Sequence, residues 1–202
     1  MTRAFVIALP NEAEVIRPHL KPGDRLYVCG IGKVNAAAAT MRAICEGADE
    51  IWNFGFAGGF DPAMEIGDIC VIESAGEDDF DLATLNGTRV GQLNERSSPY
   101  IPLAIAQSDS PGNLAVRQCV LASGDHFNDS DTDLALLKEL GTMVRDMEGA
   151  AIAHVCEKEG VPCHSVKCIS DVHGRGSMTG QYVSNIPLCQ RKLGEAVKAL
   201  IG

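Results

Sequence analysis

Residues 147–172, MEGAAIAHVCEKEGVPCHSVKCISDV, place a helical pattern directly before a buried strand. Small and apolar residues recur at helical spacing over 147–159, at Met147, Ala150, Ala151, His154 and Val155. The apolar run at 164–169 predicts a strand, and Asp171 follows its carboxyl end. A helix that leads into a buried strand is typical of an α/β fold with a parallel or mixed sheet.

The same alternation extends over the rest of the chain. Apolar runs predict strands at 4–9, 26–29, 51–54, 68–73 and 118–122, and helical patterns predict helices at 34–46, 134–140 and 186–200. Asp133 is interpreted as the N-cap of the 134–140 helix. At about 150 residues per domain, the length predicts one domain, 1–202. The segment 75–113 predicts a loop-rich excursion of the kind that often binds ligands.

Composition excludes several classes of protein. With 17 Lys and Arg against 27 Asp and Glu, the formal charge is −10, which argues against binding of a nucleic-acid backbone. No apolar run reaches the length of a membrane span, and the stretch 4–9 is too short for a signal peptide, so a cytoplasmic protein without membrane contact is expected. Eight cysteines without a C-x-x-C pair predict reduced thiols and no metal site.

Three segments follow predicted strands and differ in what they can bind. CGIGKVNA at 29–36 lacks the spacing of a phosphate loop and, at Asn35, the third glycine of a dinucleotide fingerprint, so a tight turn is the simpler interpretation. NFGFAGGF at 53–60 favours either a cramped turn or a sugar or phosphate pocket that includes Gly58. In the third segment, SGDHFND at 123–129, Phe127 is either a core residue or a ring on which a flat base stacks.

Three carboxylates stand beside predicted strand ends or helix starts: Glu12, Glu148 and Asp171. The helix dipole favours acids at a helix start, and this is the simpler interpretation of Glu12. The stretch 145–153 is predicted to open a helix, so the same interpretation applies to Asp146 and Glu148. Glu148 nevertheless enters an alanine-rich stretch, where a carboxylate must be paired or must hold the hydroxyls of a ligand. The convergence of the three at one edge of the sheet predicts a catalytic site.

Four motifs, MEGAAIAHVC at 147–156, ISDV at 169–172, AGG at 57–59 and EIGDI at 65–69, occur in a recognisable order. In this the chain resembles the purine nucleoside phosphorylase / uridine phosphorylase superfamily, and within it most the methylthioadenosine / S-adenosylhomocysteine nucleosidases. The resemblance covers most of the chain except 75–113 and the tail. It implies a three-layer α/β/α fold whose central mixed sheet closes partly into a barrel.

The resemblance also implies an activity, which is hydrolysis of the N-glycosidic bond of a purine nucleoside such as a 5′-modified adenosine. Asp171 would be the general acid that protonates N7 of the purine, and it must be neutral before it donates. Glu12 would orient and deprotonate the attacking water, and Glu148 would hold the ribose hydroxyls. The other implied substrate-binding residues are Met147 beside the sugar, Phe127 stacked on the base, the Asn128 backbone at the base edge, and Gly58, Ile31 and Ser170.

Neither a cofactor nor a metal is implied, and the expected partners are a small nucleoside substrate and further copies of the chain in a homodimer or larger homo-oligomer. Two features depart from the family pattern. Phe56 stands where nucleosidases often carry a small hydroxyl residue, and the segment 75–113 is shorter than usual. The 5′ group therefore stays open between methylthioadenosine, adenosylhomocysteine, a futalosine-like nucleoside and another 5′-modified adenosine.

Two other functions are compatible with the same fold. A phosphorylase would need basic residues for phosphate, but Glu12 and Glu14 occupy the first such place, and Lys33 stands where an arginine is often used. A charged Glu12 would repel phosphate, so the sequence favours water as the nucleophile. A non-catalytic nucleoside-binding protein would not need an acid facing N7, so the joint presence of three carboxylates argues against it.

Overall fold

The computed structural model describes residues 1–106, 114–127 and 131–202, with the side chains of 131–133 left out. Its strands are β1 (Arg3–Ile7), β2 (Arg25–Val28), β3 (Glu50–Gly59), β4 (Ile69–Glu77), β5 (Ile101–Pro102), β6 (Val116–Ser123), β7 (Val144–Asp146) and β8 (Cys163–Val172). Its helices are α1 (Pro10–Ile16), α2 (Lys33–Cys45), α3 (Ala83–Asn86), α4 (Asp131–Leu140), α5 (Gly149–Glu159) and α6 (Met178–Ile201), and a 3-10 turn spans Arg17–His19.

Five of the strands close on themselves. The hydrogen-bonded order runs from β3 through β7, β6 and β4 to β8, and β8 pairs back with β3. Strands β3 and β8 are parallel, whereas β3 with β7 and β4 with β8 are antiparallel. Strands β1 and β2 extend the sheet outward from β3, and β5 is paired with β4. The fold is therefore the predicted mixed α/β type with a partly barrel-like sheet.

Helices cover the sheet through apolar clusters, of which two contain most of the buried residues. One joins small residues of α2 and α5, such as Ala43 and Ala153, to strand residues such as Ile51. The other joins Ile16 of α1 and Leu193 of α6 to the apolar side chains of β1, β3 and β8. Burying one stripe of each helix against the sheet removes apolar surface from water, and this holds the strand ends in fixed positions.

All six predicted strands and all four predicted helices occur, but several boundaries were wrong. Arg145 and Asp146 do not open a helix. They belong to β7, a strand too short for its alternation to be recognised in the sequence, and α5 begins only at Gly149. Asp133 is not an N-cap, because α4 already begins at Asp131.

The last helix is longer than predicted. It begins at Met178, where the Ser177 hydroxyl accepts a hydrogen bond from the Gly180 N–H at 3.2 Å, and it continues through Pro187. Its polar first turns and this internal proline concealed the start. Among the described residues, no helix is long and apolar enough to cross a membrane. All eight cysteines are free thiols.

Candidate active site

One cavity of about 390 Å³ opens at the end of the barrel where β1, β3 and β8 have their carboxyl ends. The predicted residues that line it are Glu12, Ile31, Gly58, Phe127, Met147, Glu148, Ser170 and Asp171. Asn128 lies outside the described residues. Of the segment 75–113, none of the described residues lines this cavity, so the structure does not place that loop at the site.

Glu12 lies in the first turn of α1, is buried and lines the cavity. Its Oε2 accepts a hydrogen bond from the Leu9 N–H at 3.0 Å, and its Oε1 accepts one from the Phe56 N–H at 2.8 Å. A side chain at residue 55 would place its Cβ 3.0 Å from Oε1, so Gly55 leaves the space that the carboxylate fills. Burial raises the pKa of Glu12, although the Phe56 N–H and the charge of Lys167 oppose this. A buried carboxylate of this kind suits a general base.

Asp171 and Ser170 lie at an irregularity in the β3–β8 ladder. Ala57 pairs with Ile169, but Gly58 pairs with Asp171, so Ser170 is an extra residue on β8. The Ser170 hydroxyl lies 3.3 Å from the Ala57 carbonyl oxygen and donates to Asp171 Oδ1 at 2.6 Å. A Cβ at residue 58 would lie 3.0 Å from Asp171 Oδ2. The bulge and the missing side chain of Gly58 together direct this carboxyl group toward the cavity.

Glu148 precedes the first residue of α5 and is also buried. Its Oε1 accepts a hydrogen bond from the Gly32 N–H at 2.8 Å, which ties it to the start of α2. Burial and the neighbouring Asp146 raise the pKa of Glu148 to about 7, against the opposing charge of Lys167. The carboxylate is thus paired with one N–H and also faces the cavity, as the alanine-rich sequence around it required.

Lys167 and Asp146 form a buried ion pair that the sequence analysis missed. Lys167 Nζ lies 2.7 Å from Asp146 Oδ2, and both side chains are 2% exposed. Burial by itself would lower the pKa of Lys167, but Asp146, Glu148 and Glu12 outweigh burial and raise it. A lysine inside an apolar strand must find an anion, so the run HSVKCISD at 164–171 contained a usable signal.

Asp146 also binds backbone N–H groups at the start of α5. Its carboxylate accepts hydrogen bonds from the Glu148 N–H at 3.2 Å and the Gly149 N–H at 3.1 Å, and the Ser123 hydroxyl accepts one from the Ala150 N–H at 2.8 Å. These bonds satisfy N–H groups that the first turn of α5 leaves unpaired. Asp146 therefore fixes the backbone that carries Glu148.

Aromatic side chains form one wall of the cavity. Tyr182 of α6 makes edge contacts with Phe56 and Phe127, with ring centroids 6.4 and 6.3 Å apart. Phe127 is 54% exposed and is not a core residue. Phe56 contributes its ring to the wall and donates its N–H to Glu12, and it brings no side-chain hydroxyl group to the cavity. Tyr182 was missed because the start of α6 was predicted too late.

The cations near the cavity, among the described residues, are paired with acids. Arg145 is the only Lys or Arg among the described residues that line it, and its Nε lies 2.7 Å from Asp78 Oδ2. Lys33 lies outside the cavity lining, with its Nζ 2.6 Å from Glu77 Oε2 and 2.5 Å from Asp79 Oδ1. Four carboxylates line the same cavity: Glu12, Asp146, Glu148 and Asp171. The site is consequently rich in carboxyl groups, of which Asp146 is paired with Lys167.

The sequence model of the Phosphorylase superfamily matches residues 16–202. The chain belongs to this superfamily. Among curated relatives, the 5′-methylthioadenosine/S-adenosylhomocysteine nucleosidase of Shewanella putrefaciens (strain CN-32 / ATCC BAA-453) is 37% identical over 154 residues, which cover 70% of this chain and 65% of the relative. The nucleosidase of the same name from Marinomonas sp. (strain MWYL1) is 31% identical over 163 residues, covering 75% of this chain and 69% of the relative. The chain thus matches a little under two thirds of the length of the Shewanella relative.

Solved structures show the same superfamily fold. Futalosine hydrolase of Helicobacter pylori strain 26695 superposes with a TM-score of 0.87 at 21% identity, over 100% of this chain and 97% of that chain. The 5′-methylthioadenosine/S-adenosyl homocysteine nucleosidase of Helicobacter pylori gives a TM-score of 0.87 at 22% identity, with the same coverage. At this level of identity, the two structures show the fold of this chain and nothing about its substrate.

Proposed function

We propose that the chain is a nucleosidase that hydrolyses the N-glycosidic bond of a purine nucleoside, with a 5′-modified adenosine as the first substrate to test. The single observation that carries this proposal is the shared cavity, which brings Glu12, Glu148 and Asp171 together. Support also comes from the name of the Shewanella relative and from a Helicobacter pylori nucleosidase that was solved with 5′-methylthioadenosine in the active site.

Glycosidic cleavage of a nucleoside builds positive charge on the sugar and negative charge on the departing base. In the proposed mechanism, Asp171 donates its proton to N7 of the purine as the bond from the base to the anomeric carbon breaks. Glu12 takes a proton from the water that attacks this carbon, and the products are the free base and the free sugar. Each proton transfer is worth about 10²–10⁴ in rate. Glu148 accepts hydrogen bonds from the ribose hydroxyls, and its negative charge stabilises the cationic sugar.

The remaining residues of the cavity are assigned by their position. The exposed Phe127 ring, backed by Tyr182, offers a flat apolar face to the base. Met147, next to Glu148 in the chain, packs beside the sugar. Gly58, Ile31 and Ser170 complete the substrate-binding surface, and the backbone of Asn128 is assigned to the base edge from the resemblance alone.

The quaternary structure belongs to the proposal as well. Ile31, Phe127 and Val183 line the cavity and are each at least half exposed. Apolar side chains at the mouth of a pocket are suited to contact with a 5′ substituent or with a second copy of the chain. The family resemblance implies a cytoplasmic homodimer or larger homo-oligomer. Sedimentation of the purified chain tests the oligomeric state.

Phosphorolysis is the competing reaction, and the charges in the cavity oppose it. Two like unit charges about 4 Å apart repel by about 4 kcal/mol at an effective dielectric constant near 20. Glu12 stands at the proposed nucleophile position, where its charged carboxylate would repel phosphate. Among the described residues, the nearby cations Arg145, Lys33 and Lys167 are each paired with an acid. Water is therefore the favoured nucleophile.

Product analysis tests the proposal directly. The chain is incubated with 5′-methylthioadenosine in phosphate-free buffer and again with added phosphate, and the products are separated. We expect adenine and the free sugar at the same rate in both buffers, and no sugar 1-phosphate. Glu12→Gln should lower the rate by at least about 10², because it removes the general base. Glu14→Gln, a change on the exposed face of the same helix, is the matched control and should keep the rate. Cleavage that requires phosphate would contradict the hydrolase.

A further inference from the structure

A closed ring of polar contacts lies beside the cavity, outside its lining. Lys33 Nζ contacts Asp79 Oδ1 at 2.5 Å, Asp79 Oδ2 accepts a hydrogen bond from the Asp125 N–H at 2.9 Å, and Asp125 Oδ1 accepts one from the Lys33 N–H at 2.8 Å. This Lys33–Asp79–Asp125 ring joins the start of α2 to the segments that follow β4 and β6.

The ring explains an unfavourable placement. A cation in the first turn of a helix is disfavoured by the helix dipole, and Lys33 is the first residue of α2. Its ammonium group is nevertheless held there by Glu77 and Asp79. The side chain is 17% exposed, so the pair is partly shielded from solvent and weakens less with salt than a surface pair does.

The ring adjoins the proposed ribose carboxylate through two consecutive N–H groups. The Lys33 N–H is bound by Asp125, and the Gly32 N–H is bound by Glu148 Oε1 at 2.8 Å. Because Gly32 and Lys33 are adjacent in the chain, fixing one N–H fixes the direction of the other. Asp125 therefore acts on the position of Glu148 without lining the cavity itself.

Residue 32 is shaped for this arrangement. Its φ of 101° lies in the region that side chains avoid, and an added Cβ would lie 3.1 Å from Asp125 Oδ1. Glycine thus lets the turn adopt this backbone conformation and lets the Asp125 carboxylate approach closely. A simple tight turn would need only the first of these two properties.

We propose that Asp125 is a positioning residue for the reaction, which holds the Gly32 N–H in place and through it orients Glu148 toward the ribose hydroxyls. The inference rests on the proposed function, since it assigns Glu148 to the ribose. Asp125→Ala removes the acceptor of the Lys33 N–H, and the start of α2 can then shift away from Glu148. Asp125→Asn keeps an oxygen at the same position, and this oxygen can still accept that bond.

A double-mutant cycle on kcat/KM tests the inference. Asp125→Ala should lower kcat/KM for 5′-methylthioadenosine about tenfold, in line with one hydrogen bond to a charged group. Asp125→Asn should recover most of this loss. In the Glu148→Gln background, Asp125→Ala should cost less than about threefold, because the carboxylate it serves is already absent. The 2′-deoxy substrate should also lose less than the riboside.

Asp81→Ala is the matched control. Asp81 is an exposed aspartate that accepts a hydrogen bond from the Ala83 N–H at 2.8 Å, within its own loop. Its removal should leave kcat/KM unchanged. A full tenfold loss from Asp125→Ala in the Glu148→Gln background would overturn the inference, since the effect would then not pass through Glu148. If Glu148→Gln itself has no effect on riboside cleavage, the ribose assignment in the proposed function fails, and the inference fails with it.

Discussion

The two halves of strand β3 differ in their side chains and in what these side chains do. In the amino half, Trp52 and Phe54 stack with ring centroids 5.5 Å apart, Phe5 lies 6.4 Å from Phe54, and His164 stacks 4.2 Å from Trp52. The carboxyl half, from Gly55 to Gly59, is made mostly of small residues, and carboxylates fill the space above Gly55 and Gly58. Large rings exclude water and stabilise the fold, whereas missing side chains make room for chemistry.

This comparison shows how the stability of the barrel is separated from its activity along one ladder. Apolar burial in the amino half contributes free energy of folding and needs no polar partner. The carboxyl half holds buried charges, which cost free energy unless each finds a hydrogen bond or an ion partner. Apolar burial in the amino half therefore offsets part of the cost of burying charge in the carboxyl half.

The largest expected effect belongs to the amino half. Phe54→Ala should lower the free energy of unfolding by about 3–5 kcal/mol, because it removes a fully buried ring and leaves a cavity. The folded fraction should keep nearly the native turnover. Chemical denaturation measures the first quantity and an active-site titration the second. As a control, Phe127→Ala truncates an exposed ring and should change stability by at most about 0.5 kcal/mol. If Phe54→Ala kept the native stability and lost turnover, the assignment of stability to the amino half and of activity to the carboxyl half would be wrong.

The next effect belongs to the carboxyl half, where we expect a change to lower turnover and to leave the fold intact. Asp171→Asn should lower turnover by at least about 10², close to 3 kcal/mol of barrier, because the amide has no proton to donate to N7. The fold should be retained, since asparagine can still accept the Ser170 hydroxyl bond at Oδ1. Turnover assays and thermal unfolding of the same sample separate the two. Near-native turnover of the variant on a purine nucleoside would remove Asp171 from its proposed role.

The smallest expected effect is a pH dependence of stability that originates in the carboxyl half. The pKa of Glu148 is raised from 4.5 to about 7 by burial and by Asp146, so the unfolded chain loses this proton at lower pH than the folded one. Between pH 4.5 and 7, the folded state binds more protons at this site, and its contribution to stability therefore falls as pH rises through this window.

Glu148→Gln cannot ionise and should remove that slope. We expect the native chain to lose on the order of 2 kcal/mol more than the variant between pH 5 and pH 8, since one pKa unit corresponds to about 1.4 kcal/mol. Urea unfolding at the two pH values measures the difference. An equal loss of unfolding free energy in both proteins would show that the pKa of Glu148 is not raised in the folded state.

The sequence predicted more of the fold than of the contacts within the site. The apolar run at 51–54 and the helical spacing at 150–155 reflect burial patterns of strands and helices. These patterns can be recognised within a short window of sequence. Strand β7 was missed because three residues, two of them charged, are too few to show such a period. Its arginine and aspartate are buried only because the barrel closes around them.

The amino-acid sequence by itself determined the alternation of strands and helices and the placement of Glu12, Glu148 and Asp171 beside strand ends or helix starts. Only the tertiary structure decided what each acid touches. The Phe56 N–H that binds Glu12 is 44 residues away in the chain, and the Gly32 N–H that binds Glu148 is 116 residues away. Lys167 likewise meets Asp146 from another strand. Periodicity is a local property of the chain, whereas these distances depend on how the five strands close into a barrel, which no local pattern encodes.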